Sequence, residues 1–165
     1  MSVDPSNAVM ELVDEALKLV LLSEIAAGDL VVALCDGEGA DSAGLSIFCG
    51  FDDDVVELPY ADVSSFEATP RGLLANFDVG VAIEVRTHRT AVSKAEHKRV
   101  AGLVGAMLWR MESDSDDDLV LAELMNGVGV AGFTAGFWTP GKCERSVDGP
   151  ERVTRFEGVV FARCE

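Results

Sequence analysis

The chain begins with apolar residues at helical spacing. Val9, Leu12, Val13, Ala16, Leu17 and Val20 recur three and four apart, the period of one buried helix face. Asp4 is placed to cap this helix, and Pro5 to take its first position, where a missing N–H costs nothing. Gly28 is the expected stop. Met10, Leu19 and Leu22 widen the stripe beyond one face, which predicts extra burial, against another subunit in the simplest case.

From residue 30 to residue 62 the pattern shortens to the apolar runs LVVALC and LSIFCGF, separated by the polar stretch GEGADSAG and followed by three consecutive aspartates. These read as short strands around a polar loop, and a second strand pair is expected around Pro59 and on toward Phe66. Next, Val79, Val81, Ile83 and Val85 alternate with Gly80, Ala82, Glu84 and Arg86, the period of a half-buried strand. Ser93 and Glu96 have capping-box spacing. The helix they open buries Val100, Leu103, Val104, Met107, Leu108 and Met111 and keeps Lys94, Lys98 and Arg99 toward water.

An acidic linker over 112–118 and a short helix over 119–124 are expected next. The remainder reads as β-structure with a turn at Pro140 and Gly141 and a hairpin turn at Asp148 and Gly149. Pro150 removes one donor there, which suggests an edge or an open turn. The order predicts an α+β fold over 1–165 as a single domain. Its mixed or antiparallel sheet is packed by an N-terminal helix and a central amphipathic helix and closes on a β-hairpin.

Length and composition narrow the classes. A chain of 165 residues, 48% apolar, buries roughly two thirds of its unfolded surface without a disulfide or metal staple. Net charge is −16, and it is lopsided: residues 1–82 hold 16 acids and 2 bases, residues 83–165 hold 13 acids and 11 bases. Such a balance argues against a reader that grips phosphates with Lys and Arg. Two origins compete for it. One is a negative face that orients or repels a partner; the other is adaptation to molar salt, where the Debye length falls to about 3 Å. Scarce Lys with abundant Asp, Val, Ala and Gly is similar to haloarchaeal composition, and GC-rich actinobacterial and phage proteins drift the same way. The longest apolar stretch, 17–25, is interrupted by Lys18, Ser23 and Glu24, so no membrane span is expected. Cys35, Cys49, Cys143 and Cys164 form no CxxC pair and read as free thiols, with a Cys35 to Cys49 bridge left open.

The candidate chemistry is thin. Gly127, Gly129 and Gly132 match GxGxxG, but a β-run follows where the dinucleotide motif needs a helix. Asp114, Asp116 and Asp118 have calcium-loop spacing, yet Leu119 and Met125 stand where Gly and Glu are required. His88 and His97 read as surface or cap-adjacent, and neither Ser42 nor Ser46 sits in a nucleophile elbow. Trp109, Trp138, Phe133, Phe137, Phe156 and Phe161 read as core. Arg145, Arg152, Arg155 and Arg163, interleaved with Glu144, Asp148, Glu151 and Glu157, read as a salt-bridged outer face. No catalytic, cofactor or metal residue is expected.

The helix MELVDEALKLVLL, the strand VGVAIEVRTHRT, the helix SKAEHKRVAGLVGAMLWRM and the closing RVTRFEGVVFARC follow an order that resembles the tail terminator (tail completion) proteins of tailed viruses. The resemblance implies a non-catalytic, cofactor-free virion subunit, assembled in the host cytoplasm, that forms a homo-oligomeric ring, typically a hexamer. Such a ring caps the tail tube, joins it to a neck or head-completion protein and lets DNA pass transiently through its lumen. On that expectation Asp52, Asp53, Asp54, Asp114, Asp116, Asp117 and Asp118 face the lumen or the tube, and Met10, Leu19 and Leu22 face a neighbouring subunit. The alternatives are another neck or head-completion protein and a virus-encoded acidic module that mimics DNA. A small enzyme stands behind both.

Overall fold

The computed structural model describes residues 5–35, 42–50, 57–72, 76–110 and 133–164. Helix α1 runs Pro5–Glu24, starting on the proline. It stops four residues before the expected glycine: Ile25 N–H closes the last turn on Leu21 O at 3.1 Å, Ala26 is extended, and Gly28 lies within a 3-10 turn, Ala27–Leu30. The extended residue redirects the chain so that Leu30 and Val32 enter the core. Strand β1, Val31–Ala33, pairs antiparallel with β2, Ser42–Gly44, as a small separate ribbon.

The main sheet comprises β3 (Ser46–Cys49), β4 (Tyr60–Pro70), β5 (Asn76–His88), β6 (Phe133–Asp148) and β7 (Glu151–Cys164), in the order β3-β4-β5-β7-β6. It is mixed, since β3 and β4 are parallel and every other pair is antiparallel. Helix α2, Lys94–Arg110, lies between β5 and β6 in sequence. This is the expected α+β architecture, down to the closing hairpin.

Register shows that both helices cover one face. Ser65 of β4, paired with Val81, bonds to α1, while Phe156 of β7, paired with Ile83, packs on Gly105 of α2. Val81 and Ile83 point to the same side of β5, so α1 and α2 share that side. Val79, Val81, Ile83 and Val85 are fully buried there with Val13, Leu17, Val20, Val100 and Val104. The α2 cap is as expected, with Ser93 Oγ accepting the Glu96 N–H at 3.1 Å. Arg99 fastens α2 to the ribbon by donating to Asp29 O and Val31 O at 2.9 and 2.8 Å.

After Pro59 the expected strand is present, eleven residues long and running past Phe66, and residues 51–56 on the other side of Pro59 lie outside the described residues. Within the sheet one local expectation changes. Pro140 and Gly141 make no turn: β6 runs straight through them, and the register slips between Pro140 and Lys142. An edge strand tolerates Pro at a bulge, and a Cβ at Gly141 would lie 2.9 Å from the Glu157 carbonyl oxygen, so glycine lets the strands close there. The Asp148 and Gly149 signal does make a hairpin. Asp148 pairs with Glu151 around Gly149, whose φ is +57°, and Pro150, whose carbonyl accepts the Arg89 N–H at 2.8 Å.

Candidate functional site

The sheet face away from the helices is built of charge. Asp62, Glu84, Arg86, Glu151, Arg155 and Glu157 all project there from β4, β5 and β7. Glu84 is the hub: Arg86 reaches it at 2.7 Å and Arg155 at 2.9 Å. Arg86 also reaches Asp148 and Glu151, Arg155 reaches Glu157, and Lys142 pairs with Glu144. Burial pushes the Glu84 carboxyl up, but the two guanidiniums outweigh it and hold the group below its ordinary range. Asp62 is the opposite case. Burial raises it, and the hydrogen bond from Ser64 Oγ at 2.8 Å offsets that rise only in part. The expected salt-bridged face is therefore real, and Arg155 and Glu157 belong to it.

Arg145 and Arg152 do not. Their register places them on the helix side, beyond the first turns of α2, where the hairpin and the helix enclose a cleft of about 350 Å³. Lys94, Lys98, Arg145, Val147, Arg152 and Thr154 line it, with His97 at its base. Arg152 donates to the backbone carbonyls of Arg89 and Val92 at 3.4 and 3.0 Å. Among the described residues no carboxylate pairs with Lys94, Lys98 or Arg145. In a chain of net charge −16, this is a concentrated cationic pocket.

His97 is cap-adjacent, as expected, with its N–H on Ser93 O at 3.0 Å, but it is not at the surface. It is 5% exposed and held between two threonines, with Nδ1 2.7 Å from Thr87 Oγ1 and Nε2 2.8 Å from Thr154 Oγ1. Burial lowers its pKa, and the positive charges of Arg152 and Arg145 lower it further. A neutral ring, with one nitrogen donating and the other accepting, suits two hydroxyls that can each do either. The sequence carried only a weak sign of this: Thr87 and Thr154 sit at inward positions of their strands, which becomes apparent only once the strands are in register. His88 behaves as expected, half-buried and bonded to Thr90 at the strand end.

Trp138 is core, at 2% exposure, whereas Trp109, also expected in the core, is 65% exposed near the C-terminal end of α2. Cys35, Cys49 and Cys143 are free thiols, so Cys35 and Cys49 are not bridged. Met10 and Leu19 pack partly against their own core, and Leu22 remains 43% exposed. Asp52, Asp53, Asp54, Asp114, Asp116, Asp117, Asp118, the 119–124 helix and the glycines at 127, 129 and 132 lie outside the described residues. Among the described residues no cluster of three or more His, Cys, Asp or Glu side chains is placed to hold a metal, and no helix is long and apolar enough to cross a membrane. No protein-family model matches the chain, and no curated protein matches its sequence.

Proposed function

We propose that the chain is a virion structural subunit of the tail terminator kind, whose copies close into a ring that caps the tail tube and joins it to the neck. The observation that carries this reading is the asymmetry of the two sheet edges. One edge is β6, sixteen residues long, with every residue from Thr139 to Asp148 exposed and no described strand on its outer side. The other is β3, four residues long, flanked by α1. Pro140 and the bulge beside it interrupt the long edge, which discourages indiscriminate strand pairing and leaves a specific partner to fit. Two unlike edges favour head-to-tail association, and head-to-tail contacts generate rings when the rotation closes. Leu12 and Leu22, 37% and 43% exposed on α1, supply apolar area for such a contact. A carboxylate-rich assembly of chains at −16 each would repel passing DNA phosphates and limit sticking.

Size-exclusion chromatography with light scattering, alone and after addition of the tail-tube protein, tests the proposal. A ring-sized species, hexameric by expectation, on self-assembly or on the tube supports it. A chain that stays monomeric in both settings, from low to molar salt, overturns it.

A further inference from the structure

We infer that the cationic cleft between α2 and the β6–β7 hairpin is a docking socket for the acidic run 112–118 of a second copy of the chain. The inference deepens the ring proposal and rests on it. The socket places Lys94, Lys98, Arg145 and Arg152 around a volume of about 350 Å³, and among the described residues the first three have no carboxylate partner. Uncompensated like charges held together repel one another and are relieved by an anionic occupant. The run Glu112-Ser-Asp-Ser-Asp-Asp-Asp118 is the densest block of acids in the second half of the chain, and its carboxylates are opposite in sign to the socket.

Geometry favours a neighbouring copy over the same one. The socket lies at the N-terminal end of α2 and the run begins two residues past Arg110, at the opposite end. At 1.5 Å per residue α2 spans about 25 Å. Four residues of fully extended chain, the distance from Arg110 to Asp114, reach about 14 Å. Glu112 and Asp114 cannot reach their own socket, so a run seated there by its first acids belongs to another chain. Socket at one end and run at the other is a head-to-tail arrangement. A free DNA strand is a poorer fit, because a long polyanion would also meet the surrounding carboxylates.

Charge reversal tests this on the full chain. A socket variant, K98E with R145E, and a run variant, D114K with D116K and D117K, are made; Lys98 and Arg145 are exposed, and circular dichroism confirms that each variant is folded. Each alone is expected to lose self-association at least tenfold. Mixed one to one they are expected to recover it, since each positive run then meets a negative socket on the other chain. A labelled peptide of residues 112–118 is expected to bind the wild-type chain, to weaken at least tenfold in K98E with R145E, and to weaken on going from low to molar salt. The inference is overturned if both variants associate like the wild type, if mixing restores nothing while the two reversals combined in one chain do, or if a short DNA oligomer binds the socket more tightly than the peptide. A wild-type chain that never assembles defeats the ring reading alone, and the peptide titration then still decides the socket.

Discussion

The Asp14 carboxylate of α1 accepts two hydrogen bonds from Ser65 of β4, from the amide at 2.7 Å and from the hydroxyl at 2.9 Å. Asp14 is 3% exposed, and Ser65 stands where the β4–β5 register slips. A bulge leaves backbone groups without a ladder partner, and here a helix side chain supplies one. The bond therefore sets the height of α1 along the sheet. Replacing Asp14 with Ala strands the Ser65 amide and is expected to cost about 2–3 kcal/mol, whereas Ser65→Ala keeps the amide bond and should cost about 1 kcal/mol. Urea unfolding with an unchanged m-value checks the ranking; a larger loss for Ser65→Ala would contradict it.

His97 makes the fold sensitive to mild acid. Its pKa is lowered in the folded state, by burial first and then by Arg152 and Arg145. The unfolded chain therefore binds the proton more readily, and stability rises with pH. The His97 contribution is intact above its ordinary value of 6.5 and falls as pH drops from there toward the lowered folded value. Thermal midpoints measured from pH 8 to pH 5 should show that fall, and His97→Gln should flatten it. An unaltered slope in the variant would remove His97 as its source.

Asp62 has the reverse sign. Burial raises its pKa in the folded state, so the ionised group is a liability near neutrality and the folded form favours the proton. Asp62→Asn, able to keep the Ser64 hydroxyl bond of 2.8 Å, is expected to raise the melting temperature at pH 7 and to leave it nearly unchanged at pH 3. Equal gains at both pH values would assign the effect to packing instead.

The Glu84 hub predicts a coupling on the open face. Its carboxyl is held low because Arg86 and Arg155 together outweigh its burial, so its contribution is present above the ordinary value of 4.5 and is lost as pH falls below that. A double-mutant cycle of Glu84→Gln with Arg155→Ala should give a coupling of about 1 kcal/mol at pH 7. It should shrink toward zero by pH 3. A coupling insensitive to acid would mean that packing, not charge, joins the pair.

The two long helices, the strand over 79–85, the Ser93 cap and the Gly149 hairpin were legible in the sequence, because each depends on contacts within a few residues. Alternation from Val79 to Val85 announces a strand wherever that strand lies in the sheet, and Ser93 caps its helix whatever the helix packs on. The end of α1 was misplaced, because an extended Ala26, not Gly28, stops it. Only the tertiary structure decided which arginines serve which face. Arg152 and Arg155 are three residues apart in one strand, and alternation puts them on opposite sides. The β5 and β7 pairing then sends Arg155 to Glu84, and the hairpin brings Arg145 beside α2. His97 is buried by the same pairings, since Thr87 and Thr154 meet its ring from two strands that are 67 residues apart in the chain. Such neighbours are set by long-range register and by the bulge at Pro140, which no local pattern encodes.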